Sequence, residues 1–273
     1  MNKLIVETYF ASFENYDMLL ETTQPLEDQG IGIELHAFND DAFNRRALAQ
    51  RNRLKKYYTT FHGPHMGVEL ASAPGSDGQK NALHAWEEAF KLYRAFDAHS
   101  IVMHTHQLAF RPQERKTLQK LSIDNMNIVL DMAKEAGANV LVENVGWHNR
   151  DSYLFNEDEF IHLFSQLRPW AKCLIDTGHA FINRWDMEKV ISALADKIDG
   201  YHLHNNDGES DIHRPMFEEG LFYTREDTLR LLRIMNRYTP NADWILEYAP
   251  DPKTTPQVVI DECRQFYSYA NII

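Results

Sequence analysis

The chain has 273 residues and a formal net charge of −12, with 44% hydrophobic and 25% charged residues. This composition is typical of a soluble globular protein, and the sequence includes no apolar run that could cross a membrane. The negative net charge disfavours non-specific binding to nucleic acid, unless a local basic groove or bound cations reverse the electrostatic field. The two cysteines, Cys173 and Cys263, do not form a disulfide framework, and Glu7 interrupts the N-terminal apolar run, so we expect a reduced, cytoplasmic protein without a signal peptide.

Strand-like and helix-like segments alternate along the chain. Short apolar runs predict eight strands, at Leu4–Phe10, Gly32–Phe38, Tyr57–His62, Ser100–His104, Asn139–Asn144, Lys172–Asp176, Gly200–His204 and Trp244–Tyr248. Helical patterns follow them, at Tyr16–Gln29, Ala42–Lys56, Gln79–Asp97, Arg111–Ala136, Glu157–Leu167, Met187–Lys197, Arg225–Arg237 and Thr255–Tyr269. Eight such pairs favour a parallel sheet closed into a (β/α)8 TIM barrel, a single domain over residues 1–273. An open doubly wound sheet is the alternative, but no Gly-rich loop follows the first strand.

Capping signals support three helix boundaries. Asn156 is placed to cap a helix that begins at Glu157, and Gly137 is placed to end the long helix before the fifth strand. Thr224 and Asp227 have the spacing of a capping box, with Asp in place of the usual Glu.

Four residues of metal-ligand type fall near the C-terminal ends of predicted strands. Glu143, Asp176, His202 and Glu247 lie in NVLVEN, KCLIDTGH, GYHLHNND and DWILEY. Taken singly, each is better interpreted as a structural hydrogen-bonding group. Taken together, four buried ionisable groups at one rim would each cost several kcal/mol unless a cation compensates them. Three carboxylates and one imidazole form a mostly oxygen shell, which predicts a divalent cation: Zn²⁺, Mn²⁺, Mg²⁺ or Co²⁺.

Five more candidate ligands fall on the same rim: His62, His104, His179, Asp211 and His213. They would shift the preference toward Zn²⁺ and allow more than one metal ion. The alternative is that His62 and His104 line a substrate pocket, and that Asp211 and His213 belong to an ordinary polar loop. His204 shares one face of the seventh strand with His202, either as a site residue or as a core histidine.

The ordered motifs LVEN, LIDTGHAF, HLHNNDG followed by D-x-H, and LEY resemble the xylose isomerase-like TIM barrel superfamily. This superfamily includes sugar and sugar-phosphate isomerases and epimerases, and the endonuclease IV family. The resemblance spans nearly the whole chain, from FHGPH to the last strand. It is specific for the superfamily and does not choose among its reactions.

Resemblance to the sugar epimerase branch implies one metal ion, held by Glu143, Asp176, His202 and Glu247. The two glutamates would be the catalytic acid–base pair, one removing a proton beside a carbonyl or hydroxyl and the other returning it, through a metal-stabilised enediolate. His179 and Arg214 match substrate-contacting positions of that branch. The match of Arg214 is loose, because the branch has Gly-Glu and then Asn-Arg-Arg where this chain has LHNNDGESDIHRP.

Resemblance to the endonuclease IV branch implies three zinc ions. Their ligands would be His62, His104, Glu143, Asp176, His179, His202, Asp211, His213 and Glu247, and all nine positions carry the required residue type. The chain departs from that family at ENVGWHN, where the family continues Glu-Asn-Thr-Ala-Gly. It also has Gly178 where the family has Cys, HLHN where the family has His-Leu-Asn-Asp, and EEG for Gly-Glu-Gly. These departures put DNA repair activity in doubt.

Aromatic and polar residues after strands one, two, three and five fit a small polyol: Tyr9, His36, His65 and Trp147. His65, Trp147 and His204 would bind or stack on the substrate, with Trp147 as a rim packing residue in the alternative. We therefore expect a metal-dependent isomerase or epimerase of a small carbohydrate, with an endonuclease IV-like zinc phosphodiesterase as the rival and a non-catalytic metal- or sugar-binding barrel third. Nucleic acid is not excluded, and no exposed apolar stripe demands a homo-oligomer, although related barrels often pair.

Overall fold

The computed structural model describes residues 3–145 and 153–270. Eight parallel strands form a closed barrel in chain order, each paired with its two neighbours. The strands are β1 Leu4–Glu7, β2 Gly32–His36, β3 Tyr58–His62, β4 Ile101–His104, β5 Val140–Glu143, β6 Lys172–Asp176, β7 Ile198–Leu203 and β8 Asp243–Leu246. The prediction of a (β/α)8 TIM barrel is confirmed.

Helices of the described residues surround the barrel. They are α1 Tyr16–Thr23, α2 Asp41–Ala49, α3 Arg51–Leu54, α4 Asp77–Phe96, α5 Arg115–Ala136, α6 Glu157–Leu163, α7 Thr177–Ile182, α8 Met187–Ala193, α9 Arg225–Tyr238 and α10 Pro256–Ala270. A large apolar core lies between these helices and the sheet. Both Cys173 and Cys263 are buried as free thiols. Among the described residues, no helix is long and apolar enough to cross a membrane.

The barrel interior changes from apolar to polar toward the C-terminal ends of its strands. Ile5, Val102, Leu141, Leu174 and Ile245 form an apolar cluster separate from the larger core. Two residues further along the same strands and their ends lie Glu7, His104, Glu143, Asp176 and Glu247. Because side chains two residues apart share one face of a strand, the polar set stands directly above the apolar cluster.

Several element bounds differ from the predicted ones. β1 ends at Glu7 because residues Thr8–Ala11 turn into a 3-10 helix. The first helix is α-helical only to Thr23 and continues as a 3-10 helix over Gln24–Gln29. The predicted helix Ala42–Lys56 is divided into α2 and α3. The sequence did not predict α7, which begins directly after β6.

The predicted caps are confirmed. Asn156 and Glu159 form a capping box at the start of α6, and Thr224 and Asp227 form one at the start of α9. Gly137 ends α5 with φ +70°, a left-handed conformation that costs glycine little because it has no Cβ. The two capping boxes fix where α6 and α9 begin, and so where the loops that follow β5 and β7 at the barrel mouth end.

Candidate metal centre at the barrel mouth

Three carboxylates predicted as ligands converge on a ring nitrogen of the fourth predicted ligand, His202. His202 Nδ1 lies 3.1 Å from Glu247 Oε2, 3.7 Å from Glu143 Oε1 and 4.0 Å from Asp176 Oδ2. Both Glu143 oxygens, Glu247 Oε2 and His202 Nδ1 are buried without a hydrogen-bond partner among the described residues. Buried polar atoms are rarely left unpaired, since this costs about 1–3 kcal/mol each. The three carboxylates and the imidazole therefore fit a divalent cation.

A second group lies on the β3–β4 side and shares Glu143 with the first. His104 Nε2 is 3.0 Å from Glu143 Oε2 and 3.2 Å from His62 Nε2. His62 Nδ1 donates to the Gly63 carbonyl oxygen at 3.0 Å, and His104 Nδ1 donates to Gln107 Oε1 at 3.2 Å. Because each Nδ1 carries its proton into a hydrogen bond, the facing Nε2 atoms have free lone pairs. The group can hold a cation.

A third group lies on the β6–β7 side and shares Asp176 with the first. His179 Nε2 is 3.3 Å from Asp211 Oδ2, and His204 Nε2 is 3.1 Å from Asp176 Oδ2. His213 Nδ1 is 3.3 Å from Asp211 Oδ1. The rings of His204 and His213 stack with a centroid separation of 3.8 Å and an angle of 9°. Since the lone pair of an imidazole lies in the ring plane, two parallel stacked rings cannot both bind one cation well.

The short elements after β6 and β7 place this third group. The Asp176 carboxylate accepts the His179 backbone N–H at 2.7 Å and so begins α7. The His179 ring is held by its Nδ1 hydrogen bond to the Asn144 carbonyl oxygen at 2.8 Å. His213 has φ +45°, a conformation that non-glycine residues seldom adopt and that occurs most often at functional sites.

Charge coupling dominates the protonation of these groups. Burial raises the pKa of Glu143 and Glu247, but neighbouring imidazoles outweigh burial and hold the pKa of both carboxyls well below its usual range. Burial lowers the pKa of His202, yet Glu247 and Glu34 raise it well above 6.5. Burial and His104 lower the pKa of His62 to about 4. At neutral pH, Glu143 and Glu247 are therefore ionised and His62 is neutral, as metal ligands need to be, whereas His202 carries a proton that a bound cation would displace.

The pocket above these groups is a cavity of about 250 Å³ with aromatic and imidazole walls. Tyr9, Phe13, His36, His65 and Met66 line it together with the predicted ligands His62, His104, His179, Asp211, His213 and Glu247. His204 lies fully buried beside the third group. Trp147 lies outside the described residues.

Arg214 does not line this cavity. Its guanidinium group pairs with Glu218 and with Asp251, each at 2.8 Å. Among the described residues that line the cavity, none is Lys or Arg.

Three side chains of the site escaped the sequence prediction. Glu7 and Glu34 are fully buried, Glu7 at the end of β1 and Glu34 in the middle of β2, and Thr60 lies next to Glu34 on β3. Glu7 Oε1 is 3.1 Å from His36 Nε2, and burial together with Glu247 and Glu34 raises the pKa of Glu7 well above 4.5. A glutamate inside each of the runs LIVETYF and IGIELHAF is the signal that could have found them.

The sequence model of a family described as xylose isomerase-like TIM barrel matches residues 22–267. The chain is 30% identical over 166 residues to the uncharacterized protein MJ1614 of Methanocaldococcus jannaschii, a match that spans 61% of this chain and 62% of that relative, less than two thirds of its length.

Two solved structures superpose on nearly the whole chain. One is D-psicose 3-epimerase with D-tagatose from Clostridium cellulolyticum H10, with a TM-score of 0.73, 15% identity and 99% of each chain covered. The other is an AP endonuclease, family 2, from Brucella melitensis, with a TM-score of 0.72, 16% identity and coverage of 98% of this chain and 99% of that one. At these identities the likeness shows the fold alone.

Proposed function

The chain belongs to the xylose isomerase-like TIM barrel family, and we propose that it is a divalent-metal-dependent isomerase or epimerase acting on a sugar or sugar derivative. The observation that carries the proposal is the convergence of Glu143 and Glu247 on His202 Nδ1, within 4 Å, beneath a small pocket that Glu247 lines. An ionised carboxylate can accept a proton from a substrate carbon, and a second carboxyl group at the same buried point, once protonated, can deliver one to it.

The residues divide the chemistry as follows. Glu143, Asp176, His202 and Glu247 would hold the cation. When bound, the cation supplies Lewis acidity that makes a C–H bond beside a substrate carbonyl more acidic. One ionised glutamate accepts that proton. The other must first take a proton from a protonated neighbour, as Glu247 can from His213, whose Nε2 lies 3.6 Å from Glu247 Oε2 and whose pKa the nearby carboxylates raise to about 9 against the effect of burial. It then delivers that proton to the opposite face of the same carbon or to the neighbouring carbon. Burial of both glutamates excludes water that would otherwise compete for the proton.

The pocket walls favour a small neutral polyol. A cavity of about 250 Å³ is near the lower end of ligand pockets, which are about 300–1,000 Å³. Tyr9 and Phe13 stack at 4.9 Å and offer an apolar face, while His65 offers a ring nitrogen for hydroxyl groups. Phe13 has φ +66°, a strained conformation for a non-glycine residue, and its ring centroid lies 4.5 Å from that of His36.

A zinc phosphodiesterase of the endonuclease IV type is the second candidate, and one observation favours it. All nine ligand positions implied by that resemblance belong to the three neighbouring groups, with Glu143 and Asp176 each shared between two of them. The lack of Lys and Arg among the described cavity residues favours the sugar instead, because a duplex backbone requires cationic contacts.

The proposal is tested by proton exchange in D₂O. Metal-loaded protein is incubated with a panel of ketoses, and deuterium at the carbon next to the carbonyl is followed by NMR. We expect incorporation by the wild type and a loss of about 10²-fold or more for Glu143→Gln and for Glu247→Gln, the usual contribution of acid–base catalysis. Metal content is measured for each variant, which separates loss of the cation from loss of the base.

Asp243→Asn is the matched control, because Asp243 is a buried carboxylate at the other end of the barrel that accepts hydrogen bonds from Lys3 N and Tyr58 Oη. Its exchange rate should equal that of the wild type. Cleavage of duplex DNA at an abasic site, with no exchange into any ketose, would establish the second candidate and refute the first.

A further inference from the structure

Glu34 contacts the candidate ligand His202 across the barrel interior. Glu34 Oε1 accepts a hydrogen bond from His202 Nε2 at 2.8 Å, although β2 and β7 are not neighbours in the sheet. Thr60 Oγ1 donates to Glu34 Oε2 at 2.7 Å. All three side chains are fully buried. Both oxygens of Glu34 are thus occupied, in contrast to those of Glu143.

We propose that Glu34 is a positioning residue that fixes the tautomer and the ring orientation of His202, and that Thr60 fixes Glu34. This inference rests on the proposed cation site and names the residues that hold its ligand His202 in place. Glu34 does not reach the cation position itself, since its carboxylate is bonded to the far nitrogen of the ring.

The argument follows from the two nitrogens of one imidazole. A carboxylate only accepts hydrogen bonds, so His202 Nε2 carries a proton. In the neutral imidazole, the form that binds a cation, Nδ1 therefore carries the lone pair. Nδ1 is the atom that faces Glu143, Asp176 and Glu247. A hydrogen bond from the outer nitrogen to a carboxylate holds a metal-binding imidazole in place and increases its basicity, and losing such a partner typically weakens metal binding about 10–100-fold.

The strands enforce this arrangement. Glu34 and Thr60 are register partners on the adjacent strands β2 and β3, so their side chains leave the sheet side by side on the same face. On the neighbouring strand β1, Glu7 is in register with Glu34, but its carboxylate contacts His36 and leaves His202 to Glu34.

The test is metal affinity of the whole protein without any sugar. Co²⁺ is titrated into metal-free protein, followed by its d–d absorption and by competition with a chelator. His202→Ala identifies the binding step that involves His202. We expect Glu34→Gln, which retains a hydrogen-bond acceptor but loses the charge, to weaken that same step about 10–100-fold. Thr60→Val should weaken it to a smaller degree, and this variant keeps the test open if Glu34→Gln does not fold.

Two further measurements separate positioning from a structural role. Urea unfolding of the metal-free Glu34→Gln protein measures the stability that the substitution costs by removing the carboxylate that pairs with His202, and it shows whether the variant is folded where Co²⁺ affinity is measured. Asp243→Asn, the control at the other end of the barrel, should bind Co²⁺ like the wild type. Equal Co²⁺ affinity of Glu34→Gln and wild type, or a stability loss without an affinity loss, overturns the inference.

The two proposals fail in different ways. A wild type that binds no cation refutes both of them. A wild type that binds Co²⁺ through a step sensitive to Glu34 but exchanges no sugar proton refutes only the proposed function.

Discussion

At the barrel mouth, four candidate imidazole ligands each present one nitrogen because the other donates a hydrogen bond. His62, His104 and His179 donate from Nδ1 to a carbonyl oxygen, which leaves Nε2 facing the carboxylates. His202 does the reverse, since Glu34 holds its Nε2. Sequence position predicted which residues reach the site, but the choice of nitrogen depends on partners from other strands and loops, which no local pattern reveals.

A buried carboxyl outside the site gives a prediction on pH and stability. Glu262 is 4% exposed, and its oxygens accept hydrogen bonds from Phe217 N and Tyr248 Oη, each at 3.0 Å. Burial raises the pKa of Glu262 from 4.5 to about 7. Between these two values the folded state keeps a proton that the unfolded state releases, so the free energy of unfolding falls as the pH rises through this window.

Glu262→Gln removes that loss. The free energy of unfolding of the variant, taken relative to that of the wild type, should rise by about 1–3 kcal/mol from pH 4.5 to pH 8, since one pKa unit corresponds to about 1.4 kcal/mol. Urea unfolding of both proteins at the two pH values measures the difference, in which the titration of all other groups cancels. A variant whose stability relative to wild type is the same at both pH values contradicts the prediction.

At the scale of elements, α7 comes close to the residue that follows β7, and the contact is made at Gly178 of α7. A Cβ built on Gly178 would lie 2.0 Å from His204 Cε1, and His204 is fully buried. The chain departs from the endonuclease IV pattern at both of these positions, with Gly178 for Cys and His204 for Asn. The two departures are neighbours in space, and the glycine makes room for the imidazole.

Gly178→Ala should therefore destabilise the protein by about 1–3 kcal/mol, the usual cost of overpacking. Gly200→Ala is the matched control, because its Cβ would come no closer than 3.4 Å to Leu141 Cδ1. The free energy of unfolding in urea compares the two. Similar small losses for both variants would show that His204 moves aside without cost.

The order of elements was predictable because strands and helices have different hydrophobic periods and the caps are local. The short helix α7 was missed although Asp176 caps it locally, because its six residues are too few to show a helical hydrophobic period. Glu143, Asp176 and Glu247 stand out as carboxylates at strand ends. Glu34 lies in the middle of β2, and only closure of the barrel brings it to His202.

At the scale of the whole molecule, the barrel concentrates negative charge at one mouth. Six carboxylates lie there, namely Glu7, Glu34, Glu143, Asp176, Asp211 and Glu247, and all are at least largely buried. Among the described residues that line the cavity there is no Lys or Arg. Histidines supply the counter-charge in part, and divalent cations would supply the rest. Stability should thus depend on metal.

Removal of metal is the corresponding prediction. A cation at about 100 times its dissociation constant stabilises the folded state by about 2.7 kcal/mol. For a chain of this size, this corresponds to a rise in Tm of roughly 5–10 °C. Thermal unfolding in EDTA and after addition of Zn²⁺ or Mn²⁺ measures the shift. The triple variant Glu143→Gln, Asp176→Asn, Glu247→Gln should lose this shift in Tm. A wild-type Tm that is the same with chelator and with added metal would contradict the prediction.

The central claim, a cation held by strand-end ligands, is tested most directly by anomalous diffraction from crystals of the Zn²⁺-loaded protein. We predict an anomalous peak about 2.0–2.2 Å from His202 Nδ1 and from oxygens of Glu143, Asp176 and Glu247. Peaks beside His104 or beside Asp211 would mark the second and third groups as cation sites as well. A map with no peak at His202 Nδ1, and with Glu143 and Glu247 bonded only to water or protein, would contradict the claim.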